Sequence, residues 1–259
     1  SPNVGAALIV SLGCEGTDHE RMVEEIRAAG KPVEIIRIQE LGGTSRAIQA
    51  GIDAAQRLVQ EISGLQRETV DISEVVMAIK CGASDTTSGM ASNCVIGYVA
   101  DKLVDLGATV VFGETTEFLG GEHILAKRAV GGENGPIGQK IYEIVDRMEK
   151  RAKSVGEDMR GGQPTPGNIA GGLSSIEEKS LGAIVKSGHR PIQGVLEYCD
   201  RVDGQKGLWI KDAPGREPEI LTGMAATGAQ FMMFSTGRGA PSGLSVHACN
   251  QDLRQSSYI

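Results

Sequence analysis

The chain has 259 residues, 40% hydrophobic and 23% charged, a balance that supports a packed core and excludes wholesale disorder. Lys and Arg total 26 against 33 Asp and Glu, and the net charge of −7 excludes attraction to nucleic-acid phosphates or anionic lipid. Aromatic residues are only 3%, against a β-sandwich core or a base-stacking surface, and 36 glycines without a collagen period predict loops of close backbone approach.

Residues 6–11 open the chain with a continuously apolar run, Ala7 to Val10, that fits a strand buried on both faces. Thr17 or Asp18 caps a helix bearing Met22, Val23, Ile26 and Ala29, closed by Gly30. Residues 33–38 read as a second strand. Thr44 or Ser45 then caps a helix through Ile62, with Ile48, Ile52, Ala55 and Val59 sharing one face. Residues 75–79 form a third strand, 90–106 a third helix closed by Gly107, and 109–112 a fourth strand. Four alternations of strand and helix predict a Rossmann-like three-layer sandwich with a mostly parallel sheet.

Regularity then declines. Residues 120–129 read as a short helix and 136–155 as a longer one with a solvated, charged face. Residues 158–172 form a long loop, of a kind often functional inside a compact domain. Ser174 or Ser175, three residues before Glu177 or Glu178, caps a helix over 174–185. Residues 208–210 and 231–234 read as further strands, with Trp209 in the core. The expectation is one α/β domain over 1–259, with a regular half at 4–118 and a less regular half at 119–243.

Cys14, Cys81, Cys94, Cys199 and Cys249 are odd in number and form no Cys-x-x-Cys, which predicts free thiols in a reducing cytoplasm. No apolar run approaches the roughly 18 residues of a membrane span. The start at Ser1-Pro2-Asn3, without initiator Met or targeting segment, predicts a domain of a longer protein.

In an open parallel sheet, ligands bind beyond the carboxyl ends of the strands. The early strands end in Gly13-Cys14-Glu15-Gly16, Gln39 to Thr44, Lys80 to Asp85, and Gly113 to Glu117. Two later segments, Lys211 to Gly215 and Ser235 to Gly239, have the same form. Polar, glycine-rich tips are therefore expected to collect on one edge. Neither Gly-x-Gly-x-x-Gly in the first loop nor a Walker A sequence is present, and there is no Gly-x-Ser-x-Gly elbow.

The motifs Ser11-Leu-Gly-Cys-Glu15, Gln39-Glu-Leu-Gly-Gly-Thr44, Lys80-Cys-Gly-Ala-Ser-Asp85, Gly113-Glu-Thr-Thr-Glu117 and Gly121-Glu-His123 occur in that order. Pro166-Gly-Asn168, the run Gly171 to Gly182, Asp212-Ala-Pro-Gly215, Thr222-Gly223 and Thr236-Gly-Arg-Gly239 follow. Together they resemble the carboxy-terminal part of the altronate/galactarate dehydratase family, to which the large subunit of sulfolactate sulfo-lyase also belongs. The resemblance covers residues 4–243. Beyond it the tail departs from the family's ending, so His247 and Cys249 receive no role.

The resemblance implies a lyase that eliminates water, or sulfite, from a hydroxy acid with Fe2+ or Mn2+ as cofactor. It also implies an amino-terminal domain or small subunit as partner, and a homo-oligomer is a further expectation. Removing the weakly acidic α-proton calls for a base, and for a cation or strong donors at the dianionic enediolate. Glu114, Glu117 and Glu122 with His123 form a carboxylate–imidazole set suited to iron(II) or manganese, and His123 is alternatively the base. Cys14 and Cys81 both end strands, as iron ligands or as small apolar groups. Lys179 is a catalytic candidate, and Arg238 between two glycines suits a clamp for a substrate carboxylate. Asn168 and Asp212 orient hydroxyls or make turns. The leading expectation is dehydration of a sugar acid to a 2-keto acid. The alternatives are sulfite release from sulfolactate and a non-catalytic scaffold completing a partner's site.

Overall fold

The computed structural model describes residues 1–240 and the backbone of residues 248–250. His247 and the side chain of Cys249 therefore lie outside the described residues. In place of the single expected domain, the chain forms two compact units, one over Pro2–Thr69 and one from Val70 onward. The four early strands expected in one sheet are accordingly divided between two sheets.

The smaller unit holds β1 (Ala7–Ser11), α1 (His19–Ala28), β2 (Val33–Arg37) and α2 (Thr44–Ile62). Its two strands pair in parallel, Ala7 opposite Val33 through Ser11 opposite Arg37. Asp18 caps α1 by accepting from the Arg21 amide at 3.0 Å. Helix α2 starts without a side-chain cap after Gly42 and Gly43, whose φ values of 79° and 124° favour glycine. It buries Ala47, Ala54 and Leu58 and leaves Ile48, Ile52 and Val59 exposed. Small alanines let the helix approach Ile36 closely, and Gly51 lies on that same side, with Ile36 only 3.4 Å from where a Cβ would stand.

The larger unit is built on β3 (Val76–Gly82), β4 (Thr109–Phe112), β5 (Ile192–Leu196), β6 (Gly207–Lys211), β7 (Phe231–Thr236) and the short edge strand β8 (Ala248–Asn250). All pair in parallel, in the order β5-β6-β4-β3-β7-β8. Successive strand residues face opposite sides. Met77, Ile79, Val110 and Phe112 accordingly pack with Ile96 and Ala100 of α3 (Asn93–Asp105), and with Leu125 of α4 (Glu122–Lys127). Ile141, Ile144 and Val145 of α5 (Pro136–Ser154) complete that layer. Ala78 and Val111 pack on the other side with Ile220, Leu221 and Met224. A parallel sheet covered on both faces results, the expected three-layer arrangement.

The long loop carries two short helices, α6 (Met159–Gly162) and α7 (Pro166–Ala170), and α8 follows at Ile176–Ile184. Helix α9 (Glu217–Thr227) and strand β5 are the elements the sequence pattern hides. In β5, Gln193 and Gly194 interrupt the apolar run, and Gly194 is required because the Trp209 ring comes within 2.2 Å of where a Cβ would sit. In α9, Gly223 lies under the Tyr198 ring.

Candidate active site

The carboxyl ends of β3 and β4 bring together a group of charged side chains shut away from water. Strand β3 delivers Lys80 and Cys81, both about 1% exposed. Beyond β4, Glu114 adopts a left-handed backbone (φ 71°) and a tight helical turn, Thr115–Glu117, turns Glu117 back toward β3. That unusual geometry is fixed by neighbours: Thr115 N donates to Ala213 O at 2.9 Å and its hydroxyl donates to Asp212 Oδ1 at 2.6 Å. Lys186 enters from the short turn Val185–Ser187 after α8 and is fully buried.

The contacts close into a network. Lys80 Nζ donates to Glu114 Oε1 at 2.8 Å, and the Cys81 amide donates to Glu114 Oε2 at 3.0 Å. The Cys81 thiol lies 2.9 Å from Glu117 Oε2. Lys186 Nζ reaches Cys81 Sγ at 2.9 Å, Glu114 Oε2 at 2.5 Å and Glu117 Oε2 at 3.0 Å. Burial alone would protonate Glu117, but Lys186, Lys179 and Lys80 outweigh it and bring its pKa down to about 2. Burial likewise opposes both lysine ammoniums, yet the facing acids hold them above the usual lysine range. Burial, with Glu114 and Glu117 adding to it, pushes the Cys81 thiol well up, so it keeps its proton.

A cavity of about 510 Å³ opens beside this network, walled by Cys81, Ser84, Glu117, Asn168, Lys179 and Arg216 among others. An adjoining hollow of about 390 Å³ shares Glu117, Lys179 and Arg216. Asn168 sits in a reciprocal cap with Thr165 at the start of α7, and its amide donates to Ser84 O at 2.8 Å. The same Asn168 Oδ1 accepts from Lys179 Nζ at 3.3 Å, while Gln163 Oε1 accepts at 2.7 Å and Glu117 Oε1 stands 3.8 Å away. Lys179 is thus an ammonium aimed by two acceptors and a facing carboxylate, at the edge of an open cavity. Such an arrangement can bind an anion or pass a proton to a departing oxygen.

Cys81, Glu114, Glu117, Asn168 and Lys179, expected as site residues, meet here. The others do not join them within the larger unit. Cys14 lies exposed in the smaller unit, its Sγ 3.3 Å from Gln39 Nε2. The expected cluster of Glu114, Glu117, Glu122 and His123 does not form: His123 is exposed in the first turn of α4. Glu122 is close enough to Tyr142 to help raise its pKa, and one of its oxygens is buried without a hydrogen-bond partner among the described residues. Asp212 accepts from Thr115 and pairs with Arg147, which makes it a brace for the Thr115 turn. Arg238 is exposed beyond β7 and lines neither cavity.

Lys186 and Arg216 escape the sequence reading, and Lys80 enters it only as the start of a polar strand end with no role of its own. For the two lysines a signal existed, because each follows directly on apolar residues, Met77 to Ile79 and Ile184-Val185, where a surface lysine is out of place. Among the described residues, Cys81, Glu114 and Glu117 form a group that could hold a metal ion, their donor atoms all within 4.8 Å of one another. The ammonium of Lys186 stands within 3.0 Å of all three donors, at the place such an ion would take. With Lys186 so placed, the three donors already share one cation. No helix among the described residues is long and apolar enough to cross a membrane.

Residues 72–250 match the family model described as D-galactarate/altronate dehydratase, C-terminal. Residues 1–63 match the model of the second domain of D-galactarate dehydratase/altronate hydrolase. The chain is 41% identical over 240 residues to (2R)-sulfolactate sulfo-lyase subunit beta of Chromohalobacter salexigens, covering 92% of this chain and 60% of that one. It is 35% identical over 253 residues to the galactarate dehydratase (L-threo-forming) of Escherichia coli, covering 94% and 47%. With the altronate dehydratase of Bacillus subtilis it shares 34% identity over 249 residues, covering 95% and 48%. The chain therefore spans 47–60% of the length of these relatives.

Proposed function

Because the chain belongs to the D-galactarate/altronate dehydratase family, we propose that its larger unit carries the centre at which a lyase eliminates water from a sugar acid. The observation that carries this reading is the cavity walled by Glu117, Asn168 and Lys179. In the reaction the α-proton passes to a base of the completed enzyme, its C–H electron pair forms the double bond to the β-carbon, and the β-hydroxyl departs with a proton as water. The resulting enol becomes a 2-keto acid. Lys179, aimed by Gln163 and Asn168, donates to the departing oxygen. Glu117, a carboxylate at any physiological pH, faces the Lys179 ammonium at 3.8 Å. Arg216 at the rim takes the substrate carboxylate, the role expected of Arg238. Iron(II) or manganese has no open place among Cys81, Glu114 and Glu117 while Lys186 stands between them, and no step here runs through a metal ion.

A second reading is sulfite release from (2R)-sulfolactate, favoured by the 41% identity to the sulfo-lyase subunit. The α-proton is lost in the same way, but sulfite leaves without being protonated. In either case the remaining amino-terminal part, or a small subunit, completes the enzyme, in keeping with the 47–60% coverage of the relatives. Free thiols at Cys14, Cys81, Cys94 and Cys199 support a cytoplasmic setting.

The test is turnover of altronate, galactarate and (2R)-sulfolactate by the chain, alone and joined to that remaining part, with 2-keto acid and sulfite both measured. Dehydration is expected, with Lys179→Met lowering kcat/KM about 10²–10³-fold, the effect of losing one donor at a developing charge. Sulfite as the product, with Lys179→Met nearly silent, would establish the second reading. Dehydration of altronate or galactarate by the completed enzyme that is unaffected by Lys179→Met would make this chain a scaffold.

A further inference from the structure

We infer that Lys186 is the built-in cation of the Cys81–Glu114–Glu117 group, and that a divalent ion enters this group only once that ammonium is removed. This is a statement about binding and stands apart from the reaction proposed above.

Three observations carry it. The first is position: Lys186 Nζ touches one donor atom from each of the three residues, at 2.5 to 3.0 Å. These are the contacts a metal would claim, made by a group with three N–H donors to share. The second is charge. The carboxylates of Glu114 and Glu117 pair with the ammoniums of Lys80 and Lys186, two charges of each sign in one buried group. A divalent ion bound through a Cys81 thiolate would leave one positive charge uncompensated away from water, which is costly. With a neutral side chain at 186, the ion and Lys80 would balance the thiolate and both carboxylates, and neutrality returns.

The third observation is that Lys186 cannot readily swing aside. Arg128 holds the turn that carries it, donating to Ser187 Oγ at 2.8 Å and to Ser187 O at 3.2 Å. The Ser187 hydroxyl ties back to Ile184 O at 2.7 Å. On the other side Gly97 of α3 lies so close that a Cβ there would stand 2.4 Å from Val185 O. The lysine is therefore a fixed part of the site, unlike a flexible surface side chain that yields to an incoming ion.

The test is a Co2+ titration of the full chain, read by the near-ultraviolet thiolate-to-cobalt charge-transfer band and by equilibrium dialysis. Wild type, Cys81→Ser, Lys186→Ala and the double variant are compared, so that the exposed thiols are subtracted. Wild type is expected to show no band that depends on Cys81. Lys186→Ala is expected to bind a single Cys81-dependent ion at least about 100-fold more tightly than wild type, and to gain thermal stability from it by mass action. A Cys81-dependent cobalt band in wild type overturns the inference, and needs no variant to fold. So does a Lys186→Ala protein that neither binds the ion through Cys81 nor is stabilised by it.

Discussion

Lys80, Lys186 and Lys211 are all at most 1% exposed, and each is held by a different set of oxygens. Lys80 and Lys186 face carboxylates, which hold their protons. Lys211 instead donates to three carbonyl oxygens, of Glu197 at 3.1 Å, Tyr198 at 2.6 Å and Asp200 at 3.1 Å. Neutral acceptors compensate a charge less well, and burial draws Lys211 down to about 8 despite Asp200 and Cys199. Between pH 8 and its ordinary 10.5, the unfolded chain keeps this proton while the folded protein has released it. The unfolding free energy therefore rises with pH across that window through Lys211. Cys81, whose pKa is raised above its ordinary 9.0, acts in the opposite sense over the upper part of the window. Denaturant unfolding of wild type against Lys211→Met isolates the lysine: the variant should lack the rise. Below pH 8 it should also be about 1–3 kcal/mol less stable, because buried carbonyls lose a charged donor.

At the level of elements, Gly194 makes the packing of β5 on β6 testable. A methyl group there meets the Trp209 ring at 2.2 Å, and Gly194→Ala should lower stability by about 1–3 kcal/mol, measured by thermal unfolding. An unchanged melting temperature would mean that β5 is not seated against Trp209. The same glycine explains why β5 was illegible in the sequence, whereas β3, β4, β6 and β7 were plain. Strands covered by helices on both faces are written as unbroken apolar runs, and β5 carries a glutamine and a glycine at its centre. Much the same holds for the site. Lys80-Cys81 and Glu114 to Glu117 stand at strand ends, where chemistry is expected from topology alone. Lys186 acquires its meaning only when α8 and the turn after it fold over β3, a contact between residues 105 positions apart. His123 and Glu122 mislead for the converse reason: they lie close to Glu117 in sequence, but both fall in the first turn of α4, which carries the imidazole outward.

At the level of the whole molecule, the division into two units predicts two unfolding events. Residues 63–71 between α2 and the turn before β3 are almost all exposed and form no strand or α-helix. Limited proteolysis should cut within this stretch and release two fragments, each keeping its far-ultraviolet circular dichroism. A first cut elsewhere, or loss of structure in both pieces on cleavage, would show that the two units are not independently stable.

The distribution of aromatic residues decides how those events can be watched. Every Trp, Tyr and Phe of the chain lies beyond residue 69, and Trp209 is the sole tryptophan. Its emission, quenched or shifted as β5 and β6 separate, is a private reporter on one half of the protein. The first 69 residues are optically silent at 280 nm. Fluorescence and dichroism melting curves that fail to superimpose would thus register which half gives way first, with no label attached to either.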